Sequence, residues 1–179
     1  MAFCLDTHRN RLVLEGYPTG GPGQTWEYDG VAWLQRSPVH QPFFWLGLNL
    51  GYDPLRQVVV LYGGVAPNDT WTWDGVDWTN VPVAHHPWPG SMVYTTLPMT
   101  FDTQRGVLLR TGGGETWQFD GTDWAQLPNA NLPAYAALFA YDPVRDRHIA
   151  LDATSVYEYA PEMQILDNAA YPGRSVKEL

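Results

Sequence analysis

Five histidines stand in this 179-residue chain, and three of them, His40, His85 and His86, fall in stretches rich in proline and other turn-forming residues. Imidazole binds zinc and copper and titrates near neutrality, so these side chains are the first candidates for metal binding or proton transfer. His85 and His86 are adjacent, however, and adjacent side chains point apart. With His40 distant in sequence they match no established ligand spacing. They are expected in solvated loops, and neither a metal nor a cofactor is expected. Asn68, Asp69, Trp88, Glu115 and Asn129 occupy comparable stretches and complete the candidate ligand-binding set. Phe43, Phe44, Trp88 and Tyr135 are of the kind that stack on a sugar ring or anchor a peptide, with packing between sheets as the competing role. The triple glycine at 112–114 leads into strand-like sequence, so it lacks the helix N-terminus that phosphate binding uses. No Ser/His/Asp arrangement or zinc spacing is present, and no catalytic residue is assigned. Cys4 has no second cysteine to pair with and, within Phe3-Cys4-Leu5, is expected as a buried apolar thiol.

The elements that position these residues must be strands. Seventeen glycines and fifteen prolines exclude a helical bundle, while nine Trp, ten Tyr and six Phe exclude a disordered chain. Short apolar runs between turn residues point to an all-β protein of one domain. The formal charge of −9 repels phosphate backbones, so nucleic acid is not expected as a partner. No stretch nears the ~20 apolar residues of a membrane-spanning helix, so no membrane partner is expected. No basic segment followed by an apolar one opens the chain. As written, it is expected in the cytoplasm, with secretion left open for a processed or truncated piece.

Internal repetition is the strongest signal. Asp-x-x-Arg occurs at Asp6/Arg9, Asp53/Arg56, Asp102/Arg105 and Asp142/Arg145, each time between two apolar stretches. A second block carries Trp26-x-Tyr28-Asp29-Gly30-x-x-Trp33, Trp71-x-Trp73-Asp74-Gly75-x-x-Trp78 and Trp117-x-Phe119-Asp120-Gly121-x-x-Trp124. The fourth unit keeps only Tyr157-x-Tyr159 and lacks the Asp-Gly. Each unit therefore reads as four antiparallel strands, a to d. In unit two they are expected over 46–52, 57–62, 70–73 and 77–81. Asp-x-x-Arg makes the a–b turn and Asp-Gly the c–d turn. Four strands in 40–50 residues describe one β-propeller blade, here over 1–37, 43–82, 91–128 and 134–167, with a tail at 168–179. The repeated tryptophans, Trp33, Trp78 and Trp124 included, are expected in the core. The Asp-Gly carboxylates are expected as turn formers.

This combination of Asp-x-x-Arg, an apolar strand ending in glycine (Gly63-Gly64, Gly112-Gly113) and a spaced tryptophan resembles the kelch repeat of the galactose oxidase/kelch superfamily. It is most similar to the bacterial form with an added Asp-Gly-x-x-Trp hairpin. The resemblance spans nearly the whole chain and weakens in unit four. It implies a β-propeller, commonly of six or seven blades, where this chain offers four. An oxidase-like copper site would need a Cys–Tyr pair with two histidines, and a sialidase-like site an arginine cluster; Cys4 and the turn arginines supply neither.

Three readings of ring closure stand. The chain closes alone as a four-bladed ring; two copies join as a homodimer completing one eight-bladed ring; or the chain is a fragment of a longer array, since 171–175 resemble the loop at 88–91 and precede what reads as the opening of a fifth strand a. Strand alternation puts the longer b–c and d–a loops (17–25, 37–43, 65–69, 82–91, 127–134) on one face, where a site is expected. The expected function is a non-catalytic recognition scaffold binding a protein or glycan there. An oxidase- or glycosidase-like enzyme, or enzyme fragment, at the channel mouth and a purely structural array are the alternatives.

Overall fold

A computed structural model of the chain describes residues 1–16, 23–43, 48–63, 69–87, 98–127, 132 and 136–160. Fifteen strands form four antiparallel sheets arranged as a four-bladed β-propeller, with no helix among the described residues. Blade 1 comprises β1 (Ala2–Asp6), β2 (Arg11–Gly16), β3 (Gln24–Tyr28) and β4 (Trp33–Gln35). Blade 2 comprises β5 (Asn49–Asp53), β6 (Val58–Tyr62), β7 (Thr70–Trp73) and β8 (Trp78–Val81). Blade 3 comprises β9 (Met99–Asp102), β10 (Val107–Gly112), β11 (Glu115–Phe119) and β12 (Trp124–Leu127). Blade 4 has three described strands, β13 (Leu138–Asp142), β14 (Arg147–Leu151) and β15 (Val156–Tyr159). Its expected fourth strand at 164–166 and the tail at 168–179 lie outside the described residues.

Strand order within each sheet follows the chain, and the registers of the blades superimpose. Trp26 pairs with Leu14 and Gln35, Trp71 with Leu61 and Asn80, and Trp117 with Arg110 and Gln126. The matching comes from two recurrent turns. In the a–b turn the aspartate Oδ1 accepts the amides two and three residues on, at 3.0 Å each for Asp53, while Oδ2 takes the arginine, at 2.6 Å from Arg56 Nη1. Asp6, Asp102 and Asp142 repeat this with Arg9, Arg105 and Arg145. The residue after each arginine is left-handed: Asn10, Gln57, Gly106 and Asp146 have φ of 52°, 58°, 70° and 54°. In the c–d turns Asp29, Asp74 and Asp120 accept the same two amides, and the glycine that follows has φ near +100°.

Between sheets lie three core clusters, one for each successive pair of blades. Residues two apart on a strand share a face, so each blade presents a leading face to the blade before it and a trailing face to the blade after. Leu50, Val59, Leu61, Trp73 and Trp78 of blade 2 pack on Ala2 and Val13 of blade 1. Burying an indole requires a partner for its N–H, and the trailing faces supply it. Trp78 Nε1 donates to Thr25 Oγ1 at 2.8 Å, Trp124 Nε1 to Thr70 Oγ1 at 2.9 Å, and Trp73 Nε1 to Glu27 Oε1 at 2.9 Å. Buried Glu27 also takes Arg9 and Arg36, and these bonds hold its carboxyl below the usual range against its burial.

Two expectations need correction. Trp26, Trp71 and Trp117 are half-buried rather than core in all three blades, and Trp33 is 43% exposed where Trp78 and Trp124 are 1% exposed, because among the described residues no blade packs on the leading face of blade 1. Cys4 is half-buried rather than sealed. It lies against the first core cluster, and desolvation pushes its thiol up.

Candidate functional site

Every strand a begins at the face that carries the b–c and d–a loops, so the four inner strands open there around the axis. Met1, Ala2, Phe3, Leu48, Leu50, Pro98 and Ala137, drawn from all four blades, line a cavity of about 170 Å³ at this mouth. The side chains that line it are all apolar, with backbone polar atoms between them. A pocket for a drug-sized ligand runs to roughly 300–1,000 Å³, so this cavity suits a single side chain or small apolar group.

The rim is built by the d–a loops. His40 donates its amide to Asp77 Oδ1 at 2.8 Å, and its Nδ1 lies 2.7 Å from Asp77 Oδ2. Blade 2 repeats the device: Ala84 and His85 donate their amides to Asp123 Oδ1, and His85 Nδ1 lies 2.8 Å from Oδ2. The loop amides hold both carboxyls low, that of Asp123 at about 2. Asp77 and Asp123 open the d strands of the next blade, so each d–a loop is fastened to the c–d turn of its successor. Sheet twist swings the outer strands toward the neighbouring blade, which brings the two sets of connections together at the periphery. His40 and His85 are thus exposed loop clamps.

The other candidates are dispersed. Glu115 opens β11 and accepts Trp117 Nε1 at 2.8 Å. Asp69 is half-buried before β7, and its carbonyl accepts the amide of Gly63 at 3.2 Å. His86 is exposed beside His85, and Phe43 is 57% exposed on the loop that carries His40. Asn68, Trp88, Asn129, Phe44 and Tyr135 lie outside the described residues. Among the described residues no three His, Cys, Asp or Glu side chains gather as a metal site. The b–c connections of blades 3 and 4 are tight: Gly113 and Gly114 turn with positive φ, and Asp152 Oδ1 accepts the amides of Thr154 and Ser155. The longer b–c loops therefore belong to blades 1 and 2.

Two buried ionisable residues escape the motif reading. Glu15, with no exposure, sits at the loop end of β2; Thr25 Oγ1 donates to its Oε2 at 2.6 Å and Gln41 Nε2 to its Oε1 at 2.8 Å. Burial without a cationic partner raises its carboxyl to about 7. Arg110, 2% exposed in β10, lies over the ring of Tyr62 at 4.9 Å, and its Nε and Nη1 have no hydrogen-bond partner. Desolvation lowers its proton affinity. A charge at an inward position of an otherwise apolar strand, in Leu12-Val13-Leu14-Glu15 and Val107-Leu108-Leu109-Arg110, is the signal that marks both. His148, fully buried in β14, places Nε2 3.2 Å from Asp102 Oδ2 across the seam between blades 3 and 4, stacked against Tyr141. Its role is to join blades.

No protein-family model matches the chain, and no curated protein matches it.

Proposed function

We propose that the chain is a kelch-like recognition scaffold, which binds a protein through the face formed by the longer b–c and d–a loops. What supports this reading above all is the axial mouth, whose apolar side chains from Met1, Leu48 and Pro98 suit an inserted apolar side chain. The surrounding loops are held in place from outside by His40–Asp77 and His85–Asp123, which leaves Phe43 exposed beside them. A rigid frame with clamped loops is what a docking face needs, since ordering costs fall before the partner arrives. A glycan is the second reading, favoured by the exposed Phe43 ring as a stacking surface. An acid–base enzyme would draw on Glu15, but both its oxygens are occupied within the seam between blades 1 and 2.

The test is a displayed peptide library and a glycan array probed with the full chain. Phe43→Ala should then weaken the selected interaction about tenfold with an unchanged melting temperature. Binding indifferent to Phe43 and to the mouth, or turnover of a sugar substrate, would overturn the proposal.

A further inference from the structure

We propose that a second copy of this chain docks head to tail on the two blade faces that have no neighbour among the described residues. The leading face of blade 1 receives the trailing face of blade 4, so that two copies close one ring through two identical seams. The internal seams provide the comparison. On the leading face of blade 2, Leu50 and Trp78 are 6% and 1% exposed; their counterparts on blade 1, Phe3 and Trp33, are 68% and 43% exposed. On the trailing face of blade 2, Asn49 and Thr70 are 3% and 0% exposed; their counterparts on blade 4, Leu138 and Val156, are 50% and 65% exposed. Among the described residues no core cluster joins blade 4 to blade 1.

The residue types at the free faces run opposite to what solvent would favour. The covered trailing positions carry Asn49 and Thr70, whereas the uncovered ones carry leucine and valine. Contiguous apolar faces of this kind mark interaction sites. Which occupant fits is shown by a lock that recurs at the internal seams. The a–b turn arginine of one blade lies on the c–d turn glycine of the next: Arg9 covers Gly75, and Arg56 covers Gly121 while donating to the carbonyl of Asp120. Gly30 has the same backbone, with φ of 99°, but none of the described residues lies against it. Arg145 has a side chain 79% exposed, and among the described residues its guanidinium is tied to Asp142 alone, at 3.4 Å. Among the described residues blade 4 therefore holds an unused key and blade 1 its unused lock. A second copy supplies both complements at once, and a heterologous contact made twice under a two-fold axis closes. Stable interfaces take roughly 800 Å² from each partner, here divided between two patches of large apolar side chains.

Light scattering on the full chain at micromolar concentration should give a particle of about 40 kDa, twice the 20.2 kDa chain. Phe3→Glu on one face and Leu138→Glu on the other should each weaken association about 100-fold and leave a monomer. Both substitutions fall at exposed positions. Mixing the two monomeric variants should restore association, because the mixed pair regains one seam with both sides intact. That recovery also demonstrates that each variant folds. A wild-type monomer at 100 µM (about a hundredfold above a micromolar Kd), a dimer indifferent to either variant, a mixture that stays monomeric, or an open ladder of larger species would each overturn the proposal.

Discussion

Glu15 and Arg110 are charges placed where their repeat counterparts are apolar or neutral, and each has a measurable consequence. The Glu15 carboxyl, ordinarily near 4.5, titrates at about 7 in the fold. Between those values the folded chain holds a proton that the unfolded chain releases. The contribution of Glu15 to stability is therefore full below about pH 4.5 and is lost as pH rises through 7, by roughly 3 kcal/mol. Glu15→Gln should remove that fall. Denaturant midpoints of wild type and variant from pH 4.5 to 8 should diverge on the alkaline side, and parallel curves would contradict the assignment. Arg110 stands where blades 1 and 2 carry Leu14 and Leu61. Replacing a buried, incompletely satisfied charge by a hydrophobe stabilises by about 1–4 kcal/mol. Arg110→Leu should raise the denaturant midpoint accordingly, whereas a lower midpoint would mean that the guanidinium is structurally required.

At the scale of elements, the blades are joined by more than apolar contact. Each successive seam carries indole or imidazole bonds to the preceding sheet: Trp78 to Thr25, Trp124 to Thr70, His148 to Asp102. Along the periphery the d–a loops are pinned by the carboxylates that open the next d strand. Asp123→Ala should therefore accelerate amide hydrogen exchange at Ala84 and His85 and leave the core amides of β10 protected. Uniform acceleration would show that the carboxylate supports the whole sheet instead. The strands themselves were legible because their turns announce them: β7 matches its expected span, β6 and β8 differ by one residue, and β5 is described from Asn49 to Asp53, one residue past its expected end, while 46–47 of its expected start lie outside the described residues. The apolar run before β5 carries no period-2 signal to mark where pairing starts. The pinning of His40 by Asp77 was illegible for another reason, since it depends on how far twist carries one blade's edge toward its neighbour, and no local pattern encodes that.

For the molecule as a whole, repetition made the propeller readable, because four registers with one spacing admit few other packings. Repetition also misled at one place. Trp33 shares the motif of Trp78 and Trp124, yet it is 43% exposed where they are 1% exposed, because no core cluster among the described residues covers its face. A repeat motif specifies which face is sticky; the order of blades decides whether it is satisfied.

The carboxylates at Asp77 and Asp123 have no equivalent in blade 1, where Ala32 occupies the same step of the c–d turn. Whatever polypeptide comes to rest against that corner finds no anion to grip its amides. The sequence puts Met163 at the same step of unit four, so two of the four units lack the clasp. There a connecting segment is free to lengthen, shorten or change composition without undoing a clasp, which makes it the natural place for new binding specificity to arise.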